Sequence, residues 1–345
     1  MSTDSPIDAT RPIALRAVRG FHVGGRPVDL VDLPHRQLAT VPGVQPRVSN
    51  PNGRYQVGQL YVQQFALAAP TARYPLLMWH GGGMTGATWE CTPDGRPGWH
   101  DYFMRKGYDT FVSDAVERGR ASWAPACLVS EMPEHRTLEQ AWDIFRFGPP
   151  EGYDAANGKR QAFQGQRFPV HALDQLAKQF VARWTSTGGM ALDAYVELIR
   201  RVGPCTILAH SEGGRLAQHA ALSVPELVKG LILVEPAGAP STAVEDASRL
   251  RGIPHCVLWG DYIPQNSLWT IYRRQVDEWL AAVQPAGAEV TEFDLPAMGI
   301  RGNSHLPMMD DNNIHIAGLV HEWISRAVEV TVRSKGGSNA SRQHE

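Results

Sequence analysis

The sequence predicts an α/β fold in which a mostly parallel sheet of roughly eight strands is flanked by helices and interrupted by one inserted cap. Three observations carry that prediction. Short apolar runs rich in β-formers recur along the chain with helical patterns between them, the signature of parallel strands joined by crossover helices. Runs such as "CTILAH" and "GLILV" lack polar alternation and fit strands buried on both faces. Between the strand near Phe111 and the one near Ile207 lie about ninety residues, far more than a crossover needs, so an insertion fills the gap.

In chain order, residues 1–20 read as an N-terminal tail. "FHVGGRPVDL" and "GQLYVQQFALA" then read as antiparallel strands separated by a turn-rich stretch. "YPLLMWH", "YDTFVSDA", "CTILAH", "GLILVEP", "HCVLWGD" and "VTEFDLP" follow, and all six fit central positions of a sheet. Helices are expected in "HDYFMRKG", "GRLAQHAALSV", "LWTIYRRQVDEWLAAV" and "NNIHIAGLVHEWISRAVEV", the last two with apolar residues at three- and four-residue spacing. The sheet core is therefore expected over 21–128 and 203–330, with the cap over 129–202. The sheet resumes after that segment, so the cap reads as an insertion and not as an independent domain. Residues 331–345, ending in "SKGGSNASRQHE", are polar and Gly/Ser-rich and read as disordered.

Bulk composition narrows the function classes. At 345 residues with 43% hydrophobic and 20% charged residues, the chain reads as a globular protein with a sizeable core. A formal charge of -2 offers no basic excess to recruit phosphates, which argues against nucleic acid or a membrane surface as partner. No apolar run reaches the length of an export signal or a membrane span. Cys91, Cys127, Cys205 and Cys256 are scattered without C-x-x-C spacing; they read as reduced thiols of a cytoplasmic protein, with neither a disulfide framework nor a zinc site.

The chemistry centres on "AHSEG", residues 209–213. A strand precedes Ser211 and a helix follows it, with small residues two places to either side. That is the context a nucleophile elbow requires, because the strained turn leaves no room for larger neighbours. The competing reading is a helix-capping serine. Glu212 would contribute its backbone N–H to the site, its carboxylate serving the helix N-terminus. "HGGGMTGATWE" directly follows the strand "YPLLMW", and a glycine-rich turn there can bring bare N–H groups to a developing oxyanion. Gly82 and Gly83 are the candidates, together with Glu212. No Gly-Lys-Ser/Thr follows, so a phosphate loop is not supported.

A serine nucleophile needs a base, and in this architecture the chain order is serine, acid, histidine. His219, His255, His315 and His321 fall on helices or a strand, and His344 in the tail. His305, in the loop "MGIRGNSHLPMMDDNN", is left as the base, since that loop can bend back over the strand ends where open parallel sheets bind ligands. Glu235 ends the strand beside the elbow strand and Asp261 ends the next one. Either could hold the imidazole in the needed tautomer, and position does not separate them.

Taken together, "HGGGMTGATWE", "AHSEGG", "LVEPAG" and "GNSHLPMMDDNN" resemble a group of bacterial carboxylesterases of the α/β-hydrolase fold with a Ser-His-Glu triad. The resemblance runs from about Gly20 to Val330. It implies Ser211 as nucleophile, His305 as base and Glu235 as acid, an inserted cap around "DIFRFGP", and a possible homodimer. Some members carry paired cysteines in the oxyanion loop where Gly82 and Gly83 stand here, and some carry an export signal.

The expected reaction is hydrolysis of a neutral carboxylic ester through an acyl-serine, with a small-molecule ester as the partner and neither metal nor organic cofactor. Trp89, Trp142, Phe145 and Phe147 are the expected substrate-lining residues, favouring an apolar or aromatic ester. A lactonase, an acyltransferase or a C–C hydrolase would use the same three residues. A non-catalytic ligand receptor built on this scaffold is the reading from a different class.

Overall fold

A computed structural model describes residues 11–125, 128 and 131–330; Cys127 and the expected disordered tail lie outside the described residues. The strands are β1 (Leu15–Leu30), β2 (Arg36–Leu38), β3 (Arg47–Ser49), β4 (Gly53–Leu67), β5 (Leu76–Trp79), β6 (Thr110–Asp114), β7 (Tyr153–Asp154), β8 (Lys159–Arg160), β9 (Cys205–His210), β10 (Val228–Val234), β11 (His255–Trp259) and β12 (Val290–Asp294). Eight of them form one sheet in the order β1-β4-β6-β5-β9-β10-β11-β12. β1 and β4 form a long antiparallel hairpin with Val23 opposite Leu60, β4 pairs antiparallel with β6, and the other pairings are parallel. β2 with β3 and β7 with β8 are short separate ribbons.

Strand alternation sorts the sheet's side chains to two faces. Leu77, Trp79, Ile207, Ala209, Leu231 and Leu233 join one apolar cluster. Leu76, Met78, Leu208, Ile232 and Val234 join the other. Helices α4 (Gly188–Val202), α5 (Glu212–Ser223) and α6 (Ser267–Val283) cover the first face, while α1 (Trp99–Arg105) and α7 (Asn313–Ile324) cover the second. A residue such as Leu208, with no exposed surface, contributes about 1.5–3 kcal/mol by that burial. The end strand β12 departs from expectation: it lies at the sheet edge and is only partly buried, so it is not a central strand.

Two expected boundaries shift. β1 begins at Leu15, inside the stretch expected to be a tail. The expected cap also ends too late: α4 packs against β1, β4 and α5, so it belongs to the sheet layer and the insertion returns to the core near Gly188. What precedes it holds α2 (Leu138–Ile144), α3 (Leu173–Ala177) and the β7–β8 ribbon. α2 starts with a capping box in which Thr137 Oγ1 accepts from Gln140 N–H and the Gln140 side chain accepts from Thr137 N–H. Trp142, Phe145, Phe147, Phe168, Leu173 and Leu176 join the second apolar cluster, so the insertion shares the core. Among the described residues no helix is long and apolar enough to cross a membrane.

Candidate active site

Ser211 sits between β9 and α5 at φ 54° and ψ -118°, a conformation that non-glycine residues rarely adopt. The turn is held on both sides. Ser211 N–H donates to Val234 O at 3.0 Å, and Ser211 O accepts from the N–H groups of Gly214 and Ala237, each at 3.0 Å. The small residue after the elbow has a direct cause: a Cβ on Gly213 would lie 2.5 Å from His80 O, at the end of β5.

Glu235, at the end of β10, is likewise at positive φ (51°), and its carboxylate is fully buried. Its Oε2 accepts from His305 Nδ1–H at 3.1 Å, which leaves the Nε2 lone pair of His305 for proton transfer. Its Oε1 accepts from Arg146 at 2.7 Å and from the N–H of Gly260. Burial, then the charges of Arg146 and Arg136, holds the His305 imidazole well below the usual histidine range, so it is neutral at pH 7. The ring is wedged beside Trp269 at 4.0 Å and Phe145 at 5.7 Å between centroids, and its backbone N–H donates to Phe145 O at 3.0 Å.

Two further histidines brace the site without reacting. Ala115 N–H donates to His80 Nε2 at 3.0 Å, so His80 carries its proton on Nδ1 and donates to Gly81 O at 2.8 Å. His210 Nε2–H donates to His305 O at 2.9 Å, tying the elbow strand to the histidine loop.

Ser211, His305, Gly82 and Glu212 line one small cavity of about 40 Å³, and Glu235 reaches it through His305. Gly83, at φ 69°, faces instead an outer pocket of about 420 Å³. Asp261 is engaged elsewhere: its Oδ1 accepts from Tyr262 N–H and its Oδ2 from Gly302 N–H, at 2.8 and 2.9 Å. It shapes the loop and leaves His305 to Glu235. The Glu212 side chain does more than face a helix end, because it pairs with Arg183 at 2.9 Å beside the cavity.

Of the four expected lining residues, Phe145 alone reaches the cavity. Trp142, whose Nε1–H donates to Pro149 O, and Phe147, stacked on Phe168 at 4.0 Å, are core residues of the insertion. Trp89 is fully buried near Trp99. Trp269 and Tyr272 from α6 take their place in the lining. Sequence reasoning also missed Arg146, at φ 57° just past α2, and Arg136 and Arg183 at the cavity wall. The motif "DIFRFGP" held the first of these; no spacing signal pointed to the other two.

No protein-family model matches the chain. A probable secreted lipase from a fungal species (strain ATCC 74256) is 27% identical, the match covering 79% of this chain and 88% of that one. A lipase of Mycobacterium tuberculosis, LipV, is 28% identical over 40% of this chain and 58% of its own length. Among solved structures, one described as a novel bacterial esterase superposes with a TM-score of 0.79 at 32% identity, covering 94% of this chain and all of that one. With that identity over nearly its whole length, the chain belongs to the same family as this bacterial esterase, of α/β-hydrolase fold.

Proposed function

We propose that the protein hydrolyses carboxylic esters through an acyl-enzyme on Ser211. His305 Nε2 takes the hydroxyl proton as Ser211 Oγ attacks the ester carbonyl. Glu235 keeps the imidazole in the Nδ1–H tautomer and stabilises the imidazolium that forms. The N–H groups of Gly82 and Glu212, with Gly83 beside them, meet the developing oxyanion. Gly82 and Gly83 donate to no backbone carbonyl among the described residues, and Glu212 opens α5, where an N–H has no intrahelical acceptor. His305 then protonates the departing alkoxide and activates the water that releases the acid. Serine, imidazole, carboxylate and amide donors supply every step, so no cofactor is assigned.

One observation carries this reading: a buried histidine hydrogen-bonded to a buried carboxylate shares a cavity with a strained serine and an open glycine turn. The test is pre-steady-state hydrolysis of 4-nitrophenyl acetate. One equivalent of nitrophenol should appear in a burst, followed by turnover, and Ser211→Ala should abolish both. Binding without release would favour the receptor reading. A cytoplasmic location is part of the proposal; among the described residues Cys91, Cys205 and Cys256 form no disulfide with one another, which is compatible with it. The homodimer is likewise part of the proposal, and light scattering reads it directly.

A further inference from the structure

Positive charge around Ser211 exceeds the negative charge facing it. Glu235 is claimed by Arg146. Glu212 is claimed by Arg183, and the buried Arg118 shares its field. Among the described residues Arg136 has no carboxylate within ion-pair distance. Its one hydrogen bond to the described residues goes to Gly82 O at 3.2 Å, and its guanidinium lies over the rings of Phe145 and Phe180, at 4.8 and 5.8 Å. A guanidinium carries several more N–H donors than that bond uses. Burial, then the neighbouring Arg183, pulls its pKa down to about 10 against the opposing pull of Glu212 and Glu134, which leaves it protonated at neutral pH.

Arg183 adds to the same strip. Its Nε is buried without a hydrogen-bond partner among the described residues and faces Gly82, where an added Cβ would lie 3.2 Å away. Both guanidiniums line the small catalytic cavity and the 420 Å³ outer pocket alike, so they stand at the neck between the two. A substrate that extends from Ser211 into the outer pocket passes them. Glu134 and Asp143 line the outer pocket as well, which places the attraction for an anion at the neck and not deeper out.

We infer that Arg136, seconded by Arg183, binds a carboxylate that the substrate carries a few bonds from the scissile carbonyl, making monoesters of short dicarboxylic acids the preferred substrates. The inference rests on the ester-hydrolase reading above. A planar guanidinium matches a carboxylate in a forked pair, whereas a lysine would offer only a point charge.

The test compares mono-4-nitrophenyl glutarate with 4-nitrophenyl butyrate, alongside glutarate binding followed by isothermal titration calorimetry. In the native protein kcat/KM should favour the glutarate ester by at least about tenfold, mostly through KM, and that ratio should shrink with added salt. Arg136→Met should bring the ratio close to one and abolish glutarate binding, while Arg136→Lys retains part of both. A ratio at or below one in the native protein, or a ratio unchanged in Arg136→Met, overturns the inference. If neither ester is cleaved, the ester-hydrolase reading fails, and glutarate binding lost in Arg136→Met still reports the anion site.

Discussion

Replacing Glu235 by glutamine changes one oxygen to an amide and removes one buried charge. In the native protein that carboxylate accepts from His305 Nδ1–H at 3.1 Å and from Arg146 at 2.7 Å, with all three side chains essentially without exposure. Two separate effects follow. The imidazolium formed during attack loses its anionic partner, and an amide can present its NH₂ to Nδ1 and select the wrong tautomer. The corresponding acid-to-amide change in serine proteases lowers kcat by about 10⁴, so a loss of about 10³–10⁴ is expected, or about 4–5.5 kcal/mol of barrier. Independently, Arg146 is left as an uncompensated buried charge, which destabilises by about 3–5 kcal/mol. The double substitution Glu235→Gln with Arg146→Met separates the two: stability should largely return, and activity should not. Asp261→Asn is the control, because among the described residues its carboxylate oxygens accept only from the N–H groups of Tyr262 and Gly302, and its backbone oxygen, which accepts from Arg146, is unchanged; it should lower kcat less than about tenfold. The assays are kcat for 4-nitrophenyl acetate and the thermal midpoint of each variant. An Asp261→Asn defect larger than that of Glu235→Gln would refute the assignment, and recovery of activity in the double variant would refute the separation of roles.

Other perturbations read other parts of the site. Ser211→Gly should abolish turnover yet raise stability by about 1–3 kcal/mol, since glycine adopts φ 54° without strain; an unchanged or lower thermal midpoint would contradict the strained elbow. Gly213→Ala pushes a methyl to 2.5 Å from His80 O and should destabilise by about 1–3 kcal/mol while depressing kcat, whereas Gly252→Ala, strained by its positive φ (75°) but with open space around the new methyl, should cost stability and spare kcat. His305 must be neutral to act as base and burial lowers its folded pKa, so the acid limb of kcat/KM should fall below the usual histidine value of about 6.5; a limb above it would contradict the burial. His100 and His255, both buried and pulled down to about 4, make the unfolded chain the better proton acceptor as pH drops below about 6.5. Their stabilisation is intact above that pH and is lost toward pH 4, by about 3 kcal/mol each, which denaturant midpoints measured from pH 7 to pH 4 would read.

Much of the sheet was legible because its central strands are short and continuously apolar. "CTILAH" and "HCVLW" read as fully buried segments, and β9 and β11 are buried throughout. β12 misled as a central strand, although Thr291 and Glu292 within it already signalled an edge. That Ser211 and His305 meet at one cavity was legible from chain order and from the loop each occupies. Glu235 against Asp261 was not, because which carboxylate faces the imidazole depends on the Arg146 bond and the Gly260 turn, contacts made across long stretches of chain. The aromatic residues failed for a related reason. Trp89, Trp142 and Phe147 lie close in sequence to site motifs, yet sequence does not say whether a side chain next to a turn faces the cavity or the core. Arg136 and Arg183 come from the insertion, and an arginine there reads as surface until the fold shows what it lacks.

The most direct measurement is covalent labelling with a fluorophosphonate, followed by digestion and mass mapping. One phosphonyl group per chain should appear on the peptide containing Ser211, and Glu235→Gln and His305→Ala should slow its attachment severely. An adduct on any other residue, or an unmodified Ser211 in folded protein that still turns over esters, would contradict the hydroxyl–imidazole–carboxylate assembly proposed here.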